Sequence, residues 1–112
     1  MNPINLTKLL SDEQKLKILS STFRVPKSIG DLSDTLEIPL TACYRRTKEL
    51  EKAGLLEMTE RKLTQEGKRV SLDRSNLKSA YLTFEDGKMR SFMEISGKGT
   101  VEDSKIYNNI SS

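Results

Sequence analysis

A chain of 112 residues with 35% hydrophobic content can build one core of modest size, and a single compact domain is expected. One cysteine, Cys43, and no histidine exclude an internal disulfide, a cluster with zinc-ligand spacing and any catalytic scheme built on a histidine base. Neither an enzyme nor a cofactor or metal site is therefore expected, since the acid pairs Glu49/Glu51 and Glu102/Asp103 read as solvated charge. The net charge of +3 is small but uneven: between Thr41 and Arg74 nine Lys/Arg stand against six acids, which is the whole excess. That distribution favours a polyanionic partner. No apolar run approaches the ~20 residues a bilayer requires, and MNPINLTKLL lacks the features of a signal peptide, so a cytoplasmic protein with no membrane partner is expected.

Residues 1–10 read as a lead-in, with Leu6, Leu9 and Leu10 available for packing. Ser11 three before Gln14, with Asp12 and Glu13 in the first turn, predicts a capped helix from about Asp12 to Thr22. Its core side is Leu16, Leu19 and Phe23 with Ile18 at the flank, leaving Lys15 and Lys17 in water. Pro26 disfavours helix at Val25, so 24–27 is a connector. Ser28 and Asp31 form a second capping box, and Ile29, Leu32 and Leu36 give the buried stripe of a short helix. Residues 37–40 then make the turn, with Glu37 where glycine is common.

The next helix, over about 41–53, has both ends written in the sequence: Pro39 presets the entry and Gly54 suits a left-handed exit. Leu40, Cys43, Thr47 and Leu50, with Ala53 near the edge, form its core stripe. Cys43 on that stripe reads as a small buried apolar residue, because no second ligand exists to make it a sensor. Thr41, Tyr44, Arg45 and Lys48 form a second, cationic stripe facing outward, and Arg46 lies beside it as a backbone contact or an exposed side chain.

After Gly54 the period becomes extended. Leu56–Leu63 and Arg69–Arg74 read as two strands around the turn 64–68, which carries Gly67, with Arg61, Lys62, Lys68 and Arg69 on the loop and its shoulders. A helix over 64–72, capped by Thr64, is a rival reading. Residues 78–85 and 88–95 around Asp86-Gly87 predict a hairpin with a type I′ turn, pairing Glu85 with Lys88, Phe84 with Met89, Thr83 with Arg90, Leu82 with Ser91, Tyr81 with Phe92 and Ala80 with Met93. Residues 96–112 read as a mobile tail with a turn of structure at Ile106 and Tyr107.

The expected fold is α+β: a winged helix-turn-helix over 11–95, with a three-helix core, a β-wing and the added hairpin 78–95. Two capped helices joined by a turn, the second with a basic outer stripe and a basic hairpin behind it, predict a reader of double-stranded DNA that acts in transcription regulation. Arg45 can present a fork to guanine, Thr41 and Tyr44 can bond phosphates or base edges, and Lys48 suits a phosphate. The alternative is a winged-helix module that binds protein. SIGDLSDTLEIPLTACYRRTKELEKAGLL, followed by the basic hairpin, resembles the winged helix-turn-helix regulators of the ArsR-like group, especially small archaeal members. The resemblance spans about Leu9 to Ile95 and implies a homodimer on a roughly twofold site, with the third helix in the major groove and the wing near the minor groove. Metal sensing is not implied, because the cysteine pair and histidine ligands are missing, and a hairpin and tail stand where many members have a long helix. The apolar hairpin face, Leu82, Phe84, Met89 and Met93, is too large to leave in water and can be covered by the chain's own first helix, by an identical chain or by a ligand; an identical chain, with some burial from the first helix, is the expected cover, which makes this face the expected dimer surface.

Overall fold

The computed structural model describes residues 6–106; the lead-in up to residue 5 and the end of the chain from Tyr107 lie outside them. It is an α+β protein whose chain divides into two compact units, Met1–Asn76 and Leu77–Ser112, where the sequence predicts one domain over 11–95.

In the first unit the lead-in is partly helical, as α1 (Leu6–Ser11), with Leu9 buried. Ser11 already belongs to that helix and bonds back to the Lys8 carbonyl at 3.0 Å, so the capping role passes to Asp12. Asp12 is extended, and its carboxylate accepts the Lys15 amide at 3.0 Å at the head of α2 (Glu13–Ser21). Ile18 and Leu19 form the buried side. Phe23 is 45% exposed instead of buried, because the helix stops before it: the Thr22 hydroxyl donates to the Ile18 carbonyl at 2.8 Å and the backbone leaves helical geometry.

Ser28 begins α3 (Ile29–Leu36) as predicted, accepting the Asp31 amide at 3.1 Å through its hydroxyl. Leu32 is fully buried, with Ile29 and Leu36 half-buried. Glu37 takes the left-handed conformation that glycine usually supplies, at φ 56°, and the turn is closed by the Ile38 amide donating to the Ser33 carbonyl. Then α4 (Leu40–Lys52) runs with Pro39 at its cap position and Cys43, Thr47 and Leu50 buried. Leu40, expected in the core, is 60% exposed: it is the first helical residue, and Ile38 just before it fills the inward position. Gly54 leaves at φ 78°.

Two strands follow, β1 (Leu56–Leu63) and β2 (Arg69–Ser75), paired antiparallel with Leu63 opposite Arg69; the rival helix over 64–72 does not form. Gly67, at φ 79°, carries the turn between them. At the base, Lys27 and Asp73 exchange both backbone bonds at 2.9 Å, Ser75 donates to the Thr22 carbonyl, and Asn76 donates to Leu55. The hairpin is thus laced to the helices by its root, where Leu55, Leu56 and Leu72 are buried, while its outer half projects into solvent.

The second unit is an antiparallel sheet in the order β3 (Leu77–Glu85), β4 (Lys88–Ile95), β5 (Gly99–Ile106). Every predicted pair of the β3–β4 hairpin has the predicted register, around Asp86 and Gly87 at φ 53° and 75°. The expected mobile tail is corrected over its first part: 99–106 pair along β4, with Met93 opposite Val101 and Ile95 opposite Gly99. The expected turn at Ile106 is likewise strand; Tyr107 lies outside the described residues. Central β4 buries Ser91, Met93 and Ile95, and on the opposite face Tyr81 and Phe92 stack with ring centres 4.8 Å apart.

Candidate nucleic-acid interface

Helix α4 offers water one continuous side, because its core stripe fixes the rotation of the helix. Thr41, Tyr44, Arg45 and Lys48 are all exposed on it, as the spacing predicts. The Tyr44 ring is 55% exposed and lies 5.3 Å from the Lys48 ammonium, a cation over an aromatic face. Lys48 also donates to the Glu51 carboxylate at 3.2 Å, and that bond is the main reason its pKa is raised. Arg45 is held more loosely than Lys48: its ion-pair partner Glu49 is 4.0 Å away and is itself held by Lys15 at 2.6 Å, the bond that chiefly keeps Glu49 below its ordinary pKa.

Arg46 does not lie free beside the stripe. Its guanidinium donates to the Asp12 carboxylate at 3.2 Å, with only about a fifth of either side chain accessible. Burial works against a charged Asp12, but the Lys15 amide and Arg46 outweigh it and hold its carboxyl below the usual range. Arg46 thus clamps α4 to the cap of α2, and the expectation of a merely exposed side chain is corrected.

On the β1–β2 hairpin, Arg61, Lys62, Lys68 and Arg69 are exposed, placed by the pairs Arg61 with Ser71, Lys62 with Val70 and Leu63 with Arg69. The Thr64 hydroxyl accepts the Lys68 amide at 3.1 Å and shapes the tip. Leu63, 65% exposed, and Met58, 51% exposed, add apolar surface to this projection that the strand pattern had not singled out as accessible. In the other unit, Phe84 is 66% and Leu82 38% exposed and Met89 is half-buried, whereas Met93 is only 3% exposed and so is already covered within the chain and not available to a second copy.

Cys43 is fully buried, and burial pushes its thiol pKa up, against the opposing bond to Thr47; a thiol so placed is unreactive. Among the described residues no group of three or more His, Cys, Asp or Glu could hold a metal ion, and no helix is long and apolar enough to cross a membrane.

One pair escaped the sequence. Asp73, at the root of β2, is 3% exposed and its Oδ2 has no hydrogen-bond partner, and Glu51 of the last turn of α4 acts on it electrostatically. Burial first, then the neighbouring Glu51, push the Asp73 carboxyl up to about 7, while Asp73 in turn holds Glu51 below its ordinary value.

No known protein family's model matches this chain, and no curated protein matches it.

Proposed function

We propose that the chain is a sequence-specific binder of double-stranded DNA that acts as a transcriptional regulator of winged helix-turn-helix type, with the ArsR-like group as its class. The observation that carries this reading is the exposed α4 face of Thr41, Tyr44, Arg45 and Lys48, projected by a helix that follows a tight turn and is itself followed by a basic hairpin. In such an arrangement α4 enters the major groove, where Arg45 is free to swing from Glu49 to a guanine edge and Lys48 meets phosphate. Arg61, Lys62, Lys68 and Arg69 reach the backbone or the minor groove beyond it. A protein-binding winged helix is the second reading, and the exposed Leu63 and Met58 favour it.

Arg45→Ala is expected to cost about 1–3 kcal/mol on the preferred site and to relax base choice there, whereas Lys68→Ala or Arg69→Ala weakens all duplexes alike and flattens the salt slope. Selection of bound sequences from a random duplex pool, repeated for each variant, checks this division. Equal losses for Arg45→Ala on preferred and random DNA would reduce that residue to a phosphate contact.

Such readers usually engage paired half-sites, so the reading includes a homodimer. Its surface on the second unit narrows to Phe84 and Leu82, with Met89 at the margin. Phe84→Asp is expected to give a folded monomer in sedimentation, with at least tenfold weaker DNA binding, about 1.4 kcal/mol or more. An unmodified chain that sediments as a monomer at micromolar concentration would remove the dimer from the account.

A further inference from the structure

We propose that the chain dimerises by pairing the open edge of β3 with β3 of a second copy, antiparallel and with Leu82 on the twofold axis, so that two three-stranded sheets become one; this rests on the homodimer reading above and gives it a register. The hairpin decides which residues face that edge. Asp86-Gly87 is a two-residue turn with Glu85 opposite Lys88, and the residues that flank such a turn exchange backbone hydrogen bonds. Bonding alternates along an antiparallel ladder, so Ser79, Tyr81, Thr83 and Glu85 turn their backbone groups toward β4, while Ala80, Leu82 and Phe84 turn theirs outward. β3 is an end strand of its sheet, and among the described residues no backbone group of 78–85 bonds to anything but β4.

The same three residues carry the apolar side chains of the strand's open face: Phe84 is 66% exposed, Leu82 38%, and Ala80 is half-buried. Edge strands are ordinarily guarded by proline, by a bulge or by a charge in mid-strand. LKSAYLTFE has no proline, its irregularity lies at its first residues, and its charges, Lys78 and Glu85, stand near its ends. Those charges choose the partner. The strand begins beside a cation and ends on Glu85 and Asp86, so an antiparallel copy brings opposite charges together at both ends, whereas a parallel copy would bring like charges together. The opposite edge of the sheet is β5, where the exposed Glu102 lies near mid-strand and self-pairing would set it against its own copy.

A twofold axis through Leu82 keeps the apolar side chains of both copies on one face. Leu82 then meets itself, and Phe84 meets the second copy's Ala80 in both directions, so each outward residue donates and accepts one backbone bond and the open Phe84 ring loses water against a small neighbour. Lys78 comes beside the second copy's Asp86. A register slipped to put Tyr81 on the axis sets Phe84 against Lys78 instead and leaves the ring beside a cation.

The test has two arms, and neither uses DNA. In the first, amide hydrogen exchange of the native chain is followed by NMR at high micromolar concentration and after dilution, with sedimentation giving the oligomeric state at each. Tyr81 and Thr83 should be protected throughout, whereas Ala80, Leu82 and Phe84 should exchange roughly tenfold or more slowly in the dimer than in the monomer. Leu82→Pro removes an outward N–H and no bond to β4, so it is expected to sediment as a monomer with an unchanged circular dichroism spectrum. In the second arm, Leu82→Cys is oxidised with glutathione disulfide. Its Cα should lie about 5.5 Å from that of its copy, inside the window of about 4.4–6.8 Å that a disulfide needs, and a covalent dimer is expected. Tyr81→Cys, which would bridge in the slipped register, should give none, and neither should the native chain, whose Cys43 is buried. A dimer in which the Ala80, Leu82 and Phe84 amides exchange as fast as in the monomer, or covalent dimers from Tyr81→Cys in place of Leu82→Cys, would overturn the pairing and leave the homodimer standing. A native chain that is monomeric even at high micromolar concentration would remove the homodimer reading and the pairing with it.

Discussion

Leu50→Ala is expected to destabilise the helical unit by about 2–5 kcal/mol, read as a lower denaturation midpoint with the slope unchanged. Leu50 is 2% exposed, and its carbonyl accepts the Leu55 amide at the exit of α4. Alanine is the best helix former, so the exchange leaves the intrinsic helix preference intact and removes only packing. The outward face of Thr41, Tyr44, Arg45 and Lys48 is untouched, so a lost ability to bind DNA should track the unfolded fraction and recover when the variant is cooled or stabilised. A loss below about 1 kcal/mol would mean that α4 is not anchored where it lies.

The second large effect is the response of stability to pH. Burial, and then Glu51, push the Asp73 carboxyl up to about 7 in the folded chain, whereas an unfolded aspartate releases its proton near 3.8. Between those values the native state binds one proton more than the unfolded state, so stability falls as pH rises, by about 1.4 kcal/mol per unit for a full proton, and levels off above the folded value. Asp12, Glu49 and Glu51 act in the opposite direction: their carboxyls are held low, so their contribution is present above the ordinary carboxylate range and disappears as pH falls through their lowered values. The expected profile therefore peaks in weak acid and declines toward neutrality by a few kcal/mol in total. Asp73→Asn should remove the decline and leave the acid limb. Thermal unfolding at half-unit pH steps measures both limbs, and a native profile that rises from pH 5 to 8 would contradict the raised Asp73 carboxyl.

What the sequence disclosed was mainly what is local. Ser28 and Asp31 marked the start of α3, and Gly54 the exit of α4. Asp86-Gly87 set the register of its hairpin, because a two-residue turn leaves no freedom in the pairing. The core side of α4 was legible from spacing at Cys43, Thr47 and Leu50, but not at Leu40, whose first-turn position overrode the pattern. Strand β5 was hidden because GTVEDSKI is polar and is held by backbone pairing with β4. Arg46 and Asp12 lie 34 positions apart, and nothing in either segment announces the other. The same holds for Asp73 and Glu51, since a strand acid and a helix acid each look solvated until the fold brings them together.

The central claim is that the α4 face and the basic hairpin hold duplex DNA. Its most direct measurement is a titration of the chain with a random-sequence duplex pool at pH 6 over a range of salt concentrations. Affinity should rise linearly on logarithmic axes as salt is lowered, with a slope of about −0.9 for each phosphate contacted, and Lys68→Ala should reduce that slope by about one. If no binding is detectable at the lowest salt, where phosphate contacts are strongest, the α4 face is not a DNA reader.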